Sequence, residues 1–230
     1  MKQAVFHWSG GKDSALALYD TITNETDYVA CLLTTLSQSH RRITMHGVSE
    51  ELLDLQARSL QLPLQKLFLP DQTDRDTYNR LLRGAMQRFP LASTAIFGDI
   101  HLEDLKQYRE NLFHTMGFSV RFPLWKQNTR KLVSRFLDLG FKGIVVCVQA
   151  DLLDRRFVGV PLDRNFLNQL PQTVDPCGEN GEFHTFVYDG PLFSFPIPVK
   201  TGEIIHRSYP GPSGSAPIGF WFCDLVVQHA

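Results

Sequence analysis

Apolar segments of strand length recur along the first half of the chain, and a stretch with helical periodicity follows each of them. The predicted strands are residues 4–8, 28–35, 64–69, 93–97 and 119–125. The predicted helices contain residues 15–19, 48–60, 73–89, 102–116 and 129–139. Because the strands are apolar on both faces, they resemble strands of a parallel sheet that helices cover. The alternation predicts an α/β doubly wound parallel sheet with its ligand site at the carboxyl ends of the strands.

The pattern changes after residue 140. One more buried strand is predicted at 143–148, and it is followed by segments rich in proline and glycine and by short strands at 183–188 and 219–227. This composition indicates a second, smaller α+β domain. We therefore predict a first domain at residues 1–126 and a substrate-binding domain at residues 127–230.

Two glycines and several polar residues connect the first predicted strand to the first helix. They are Ser9, Gly10, Gly11, Lys12, Asp13 and Ser14. Glycine permits a sharp turn, and the first turn of a helix leaves its N–H groups without intrahelical partners. Together with the positive end of the helix dipole, these donors predict a phosphate site, to which Lys12 adds a positive charge. The alternative is an ordinary glycine-rich turn that a serine caps. The spacing fits neither the P-loop nor the dinucleotide fingerprint.

The carboxylate of Asp13 is the unexpected member of this junction. A carboxylate repels a phosphate unless a cation or a positive partner lies between them. Mg²⁺ is therefore expected beside Asp13, because carboxylate oxygens and water are its usual ligands.

A second informative segment covers residues 175–185. It contains two glycines, two carboxylates and an imidazole, and the last three are Glu179, Glu182 and His184. Such a loop can approach a ligand closely, and its acidic groups suit a cationic substrate, ammonium or a second Mg²⁺. The alternative is a hairpin turn with solvated carboxylates.

Overall composition narrows the function classes. The formal net charge of −1 lacks the excess of lysine and arginine that a large nucleic-acid interface needs, so nucleic acid is not an expected partner. The four cysteines are scattered without a Cys-x-x-Cys pair, which argues against a zinc or redox site and favours a reducing cytoplasm. We expect neither a secretory signal nor a membrane span, because no apolar run is long enough.

The segment Ser9 to Ser14 resembles the PP-loop of the N-type ATP pyrophosphatases. With Gly98-Asp99-Ile100, Pro123-Leu-Trp125 and the 178–185 segment, the chain up to about Phe195 is similar to the diphthine–ammonia ligase (diphthamide synthetase) family. The resemblance implies an adenine-nucleotide α-hydrolase-like (HUP-type) fold that uses ATP and Mg²⁺. It also implies an enzyme that activates a carboxylate, releases pyrophosphate and lets ammonia displace AMP. His184 and the 104–110 segment differ from the archaeal and eukaryotic pattern, so a bacterial-type member is expected.

The resemblance also implies residue roles. The catalytic residues would be Lys12, Asp13, Asp99, Glu179 and Glu182, and the ATP-binding residues would be Ser9, Gly10, Gly11, Lys12, Asp13, Ser14 and His46. Asp13 and Asp99 would contact the metal, whereas the alternatives for Asp99 are a loop carboxylate or a helix cap. His46 would reach the α-phosphate or ribose from the polar loop at 37–45; its alternative is a surface histidine.

Two other functions use the same motif. One is a tRNA-modifying PP-loop enzyme, although the chain lacks paired cysteines, and the other is an ATP-binding sensor without chemistry. For the ligase, the expected partners are ATP, ammonia and a carboxylate-bearing small molecule or protein side chain, and a homodimer is left open.

Overall fold

A five-stranded parallel sheet forms the first half of the protein. The computed structural model describes residues 2–43, 46–211 and 216–228, so Thr44 and Met45 of the predicted polar loop lie outside the described residues. The strands are β1 (Lys2–His7), β2 (Asp27–Ser37), β3 (Leu64–Leu69), β4 (Ala92–Ile96) and β5 (Ser119–Arg121). They lie in the order β3-β2-β1-β4-β5, and every neighbouring pair is parallel. The predicted doubly wound α/β fold is confirmed.

Within the described residues, six α-helices accompany the strands. They are α1 (Lys12–Thr23), α2 (Glu50–Leu60), α3 (Arg75–Met86), α4 (Glu103–His114), α5 (Thr129–Asp138) and α6 (Arg164–Gln169). Side chains cap α2, α3, α5 and α6 by accepting an N–H bond of the first turn, and these caps are Ser49, Asp74, Asn128 and Asp163. Helices α1 and α4 have no such cap: the cap residue of α4 is Leu102, and that of α1 is Gly11, which has no side chain. Among these helices, none combines the length and the apolar character that a membrane crossing requires.

The direction of strand addition reverses between β1 and β4, and such a reversal opens a crevice at the carboxyl ends of the strands. Alternate residues of β1 enter different cores: Ala4 and Phe6 pack on the α1 side, whereas Val5 packs on the α3 side. Gly98, just after β4, lies against the first turn of α1. A Cβ at this glycine would stand 3.0 Å from the backbone of Asp13 and Ser14, so the crevice closes tightly there.

A four-stranded antiparallel sheet forms the second half. Its strands β6 (Lys142–Gln149), β7 (Phe183–Asp189), β8 (Val199–Tyr209) and β9 (Ile218–Val227) lie in the order β7-β6-β9-β8. One hydrophobic cluster extends from Leu16 of α1 through Phe136 of α5 to Val145 and Phe186 of this sheet, so both sheets share a core. A second, smaller α+β unit is therefore confirmed, whereas the boundary at 126/127 stays a prediction.

Three elements differ from the sequence-based expectation, and one of them is α6 (Arg164–Gln169), which was not predicted. The strand predicted at 119–125 ends at Arg121, because Pro123 lacks an N–H group and Trp125 N donates to Phe122 O in a turn (3.1 Å). Strand β8 was not predicted. Most of its residues are exposed, and it forms by pairing with β9 rather than by burying an apolar stripe.

Candidate active site

The turn after β1 has a conformation that requires glycine. Gly10 has a φ of +77°, and its carbonyl oxygen accepts hydrogen bonds from Val187 N (2.9 Å) and Gln56 Nε2 (3.0 Å). A Cβ at Gly10 would lie 2.8 Å from Gln56 Oε1. Both the left-handed backbone and the lack of space therefore exclude other residues. Strand β7 of the second sheet thus holds in place the turn that follows β1 of the first sheet.

Gln56 is a functional residue that the sequence-based reasoning missed. Its side chain is fully buried, accepts a bond from Trp8 Nε1 (2.9 Å) and donates to Val187 O (2.6 Å) as well as to Gly10. The sequence does contain a signal for this role, because Gln56 is a polar residue within the buried apolar stripe of α2. A buried amide with all these partners holds the turn, α2 and β7 in one arrangement.

The N-terminus of α1 is open to an anion. The amide of Lys12 donates to Thr185 Oγ1 (3.0 Å), whereas the cap residue Gly11 has no side chain to accept a bond from the other amides. The next amides of the turn, at Asp13 and Ser14, are those that a phosphate can reach. Ser14 Oγ donates to Gly11 O (2.9 Å) and lies 3.0 Å from Ser9 Oγ, which places both hydroxyls at the turn.

Lys12 is buried where the two halves of the protein meet. Its Nζ lies 2.8 Å from Asp13 Oδ2, donates to the carbonyl oxygen of Cys177, and lies 5.3 Å from the centre of the Phe183 ring. Burial by itself would lower the pKa of Lys12, but Asp13, Cys177 and Glu179 together more than offset this and raise it above the ordinary value. The positive charge of Lys12 therefore belongs to the turn at residues 9–14, which we call the phosphate turn after its predicted ligand.

Asp99 lies after Gly98 at the carboxyl end of β4. Its Oδ1 lies 3.0 Å from Arg109 Nη2, whereas its buried Oδ2 has no hydrogen-bond partner among the described residues. Burial raises the pKa of Asp99, and the guanidinium of Arg109 offsets this only in part. An approaching cation would stabilise the charged carboxylate.

The two glutamates of the 175–185 segment have different environments. Glu179 Oε1 accepts bonds from Ile100 N (2.8 Å) and His101 N (2.9 Å), which ties this loop to the end of β4. Glu182 is 3% exposed, and its carboxylate accepts bonds from Asp175 N (3.0 Å), Asn180 N (2.9 Å) and Asn180 Nδ2 (3.0 Å). Glu179 therefore joins two parts of the protein, whereas Glu182 holds its own loop.

His46 and His184 stack beside the phosphate turn. Their ring centres are 4.4 Å apart with an interplanar angle of 24°, and His46 Cε1 lies 3.4 Å from the position that a Cβ of Gly11 would take. Burial lowers the pKa of His184 to about 4, with a further contribution from the positive charge of Lys12. Burial, together with His184 and Lys12, also lowers the pKa of His46 well below its usual value. Both imidazoles are thus neutral at pH 7.

The structure thus brings together residues 9–14, Asp99, His46 and Glu179, whereas the carboxylate of Glu182 faces its own loop.

A family model described as the diphthamide synthase N-terminal domain matches residues 1–120, and one described as the diphthamide synthase C-terminal domain matches residues 128–212. The first match alone covers more than half of the 230 residues. The chain belongs to the diphthamide synthase family. Membership confirms the resemblance predicted from the sequence.

Curated relatives carry the corresponding names. A diphthine–ammonia ligase of Bos taurus is 25% identical over 248 residues, which cover 96% of this chain and 90% of the relative. The diphthine–ammonia ligase of Homo sapiens is 26% identical with the same coverage. That of Schizosaccharomyces pombe is 25% identical over 87% of this chain, which spans only 36% of the longer relative. The similarity to these members of the diphthamide synthase family therefore extends over both sheets.

The Mg²⁺ expected in this diphthamide synthase family member can be tested against the residues present. Within residues 2–43, 46–211 and 216–228, no three His, Cys, Asp or Glu side chains are grouped as a metal site. Nucleotide-bound Mg²⁺ usually takes only one or two carboxylates, because phosphates and water supply its other ligands. The unpartnered Oδ2 of Asp99 fits such a contact. The residues thus suit Mg²⁺ that arrives with ATP rather than a metal held by protein alone.

Proposed function

We propose that this protein is an ATP-dependent carbon–nitrogen ligase that adenylates a carboxylate and transfers ammonia to it. Pyrophosphate, AMP and an amide are the products. The observation that carries the proposal is the uncapped N-terminus of α1, where Gly10, Lys12 and Ser14 form an anion site that Thr185 and Val187 of the second sheet complete. Family membership and the names of the relatives point to the same reaction class.

The phosphate turn binds and orients ATP. The amides of Asp13 and Ser14, the Ser9 hydroxyl and the Lys12 ammonium hold the β and γ phosphates, which keeps the α-phosphorus accessible from the opposite side. The neutral imidazole of His46, which lies over Gly11, donates a hydrogen bond to the α-phosphate or ribose. Asp13 and Asp99 would hold the Mg²⁺ that arrives with ATP, and the ion would supply positive charge against the phosphate oxygens.

The reaction has two steps. A carboxylate oxygen of the acceptor attacks the α-phosphorus, the bond from phosphorus to the bridging oxygen breaks, and pyrophosphate leaves. Ammonia then attacks the acyl carbon, AMP leaves, and one proton passes to solvent. Lys12 and the helix amides stabilise the negative charge that develops on the leaving pyrophosphate.

The loop at 175–182 forms the acceptor side of the site. Glu179 is anchored at Ile100 and His101, so its carboxylate stays at the end of β4, close to the carboxylate of Asp13. We assign it the binding of ammonium or of a cationic part of the acceptor. Glu182 acts through the loop that it holds. The relatives are named for diphthine, and for this protein we propose an acid of small-molecule size, in a cytoplasm that keeps the four buried cysteines reduced.

The test is product analysis by ³¹P NMR. ATP, Mg²⁺ and ¹⁵N-ammonium are incubated with the protein, with and without a small-metabolite extract. The expected result is AMP and pyrophosphate only with extract, together with ¹⁵N in an amide. The variant Lys12→Met should lose this turnover, and Lys126→Met at an exposed position should keep it.

Other products would contradict the proposal. ADP and phosphate would exclude cleavage between the α and β phosphates. ATP that binds but never turns over would favour a sensor, and AMP formation that requires added tRNA would favour a tRNA-modifying enzyme.

A further inference from the structure

A groove of about 640 Å³ lies beside the candidate active site and contains none of its residues. The ends of β2 and β3, the polar loop after β2, and one face of β8 and β9 form its walls. Ligands of doubly wound sheets bind at the carboxyl ends of the strands, and this groove occupies that edge at β2 and β3. The groove therefore lies on the ligand-binding edge of the sheet, to one side of the crevice between β1 and β4.

Strand register connects the groove to the phosphate turn. His184 of β7 pairs with Cys147 of β6, Cys147 pairs with Phe222 of β9, and Phe222 pairs with Ile205 of β8. Directly paired residues point to the same face of a sheet. At about 4.8 Å per strand, Phe222 lies roughly 10 Å and Ile205 roughly 14 Å from His184 along this line.

The same short segment borders both sites. His46 stacks on His184 beside the phosphate turn, and the next residue, Gly47, packs on Phe222 in the groove. A Cβ at Gly47 would stand 3.3 Å from the Phe222 ring, and the Gly47 carbonyl accepts a bond from Arg42 Nη1 (2.6 Å). A ligand in the groove is thus only one residue of backbone away from the residues that face ATP.

Charges in the groove indicate what binds there. Glu203 and Arg207 line the groove together with Ile205, which lies between them along β8. Neither forms an ion pair with any residue in the described ranges, unlike Arg42, which lies 2.7 Å from Asp224. A carboxylate and a guanidinium on either side of an apolar floor suit the ammonium and carboxylate of an amino-acid head group.

We propose that this groove binds the distal end of the acceptor, and that the acceptor is a short peptide-like acid with an amino-acid head group. Glu203 binds its ammonium and Arg207 its carboxylate, while the far carboxylate reaches the α-phosphorus. The span of roughly 10–15 Å corresponds to about three or four extended residues at ~3.3–3.6 Å each. The assignment rests on the ligase function proposed above, since it takes the occupant to be the acid that ATP activates.

The experiment is titration calorimetry on the full chain loaded with Mg²⁺ and α,β-methylene-ATP, which cannot be cleaved at the bond in question. The probes are γ-glutamyl-diglycine and γ-glutamyl-triglycine, each with an amino-acid head group and a distant carboxylate. We expect saturable binding, with a Kd that rises at least about tenfold in Arg207→Ala and in Glu203→Gln. Lys200→Ala, an exposed cation on the same strand but outside the groove, should bind like the unaltered protein.

Three results would overturn the proposal. The first is that neither probe binds at millimolar concentration, and the second is that all variants bind the probes equally well. The third is that the variants weaken binding of the ATP analogue instead, which would make the groove part of the nucleotide site. Because the analogue is not cleaved, probe binding is measured without turnover. Probe binding that depends on Arg207, together with ADP as the product of ATP turnover, would overturn the ligase function and leave the peptide site standing.

Discussion

Two glycine-containing loops meet at the active site, and they are built in opposite ways. The phosphate turn at 9–14 is continuous in sequence with the strand before it and the helix after it. The loop at 175–182 has a regular element only after it, at β7; Glu182 holds it from within, and distant partners position it, such as Thr129 for Asp175 (2.7 Å) and the backbone of Ile100 for Glu179 (2.8 Å). The function of the first can therefore be inferred from neighbouring residues, whereas that of the second needs the fold.

The largest expected effect tests the phosphate turn directly. Lys12→Met keeps the length of the side chain and removes its charge, so AMP formation should fall about 10²- to 10³-fold, as is usual when one charge-stabilising donor is lost. Single-turnover measurement of AMP release checks this, with circular dichroism to confirm folding. A rate within threefold of the unaltered protein would mean that the first loop does not hold the phosphates.

Acid should lower the stability of the protein through His184, in the strand that follows the second loop. The pKa of His184 is about 4 in the folded protein against an ordinary 6.5, so the unfolded state binds the proton first as pH falls. The stabilisation is complete above pH 6.5 and is lost as the pH falls towards 4, which amounts to about 3 kcal/mol from this residue.

Urea unfolding at pH 7 and pH 4.5 measures that loss. In His184→Gln, stability should depend less on pH, whereas His114→Gln at an exposed position should keep the full dependence. Identical pH dependence in all three proteins would show that burial of His184 does not affect folding in this way.

The same substitution at the two glutamates of the second loop gives the sharpest contrast. In Glu182→Gln, an amide NH₂ replaces one of two oxygens that both accept hydrogen bonds, so two donors would face each other in a buried place. We expect a loss of about 2 kcal/mol in the free energy of unfolding, measured by urea denaturation. A loss below ~0.5 kcal/mol would contradict the structural role of Glu182.

The smallest effect on stability is expected for Glu179→Gln. Only Oε1 accepts the two backbone bonds from Ile100 and His101, and an amide oxygen can take its place. Stability should therefore change by less than ~1 kcal/mol. Any loss of ammonia-dependent turnover in this folded variant then reports the missing charge. If Glu179→Gln unfolds the protein as readily as Glu182→Gln does, the distinction between the two carboxylates is wrong.

The sequence was sufficient for the first four strands of the parallel sheet, which are apolar runs, and for the phosphate turn, which is a contiguous motif, but it placed the end of β5 too late. It could not distinguish Glu179 from Glu182, since spacing alone does not say which carboxylate reaches another element. It also missed β8, whose residues are mostly polar and exposed, and with it the groove beside Arg207. Long-range pairing places these residues, and no local periodicity carries that information.

The bonds from Gly10 and Lys12 to β7 also affect when the site can form during synthesis. All residues of the parallel sheet have left the ribosome once Arg121 has emerged, but Val187, which donates to Gly10, follows 66 residues later. At ~5–20 residues per second this is a delay of roughly 3–13 s. During that interval the phosphate turn lacks its partners in β7, so the complete site cannot form until that strand has been synthesised.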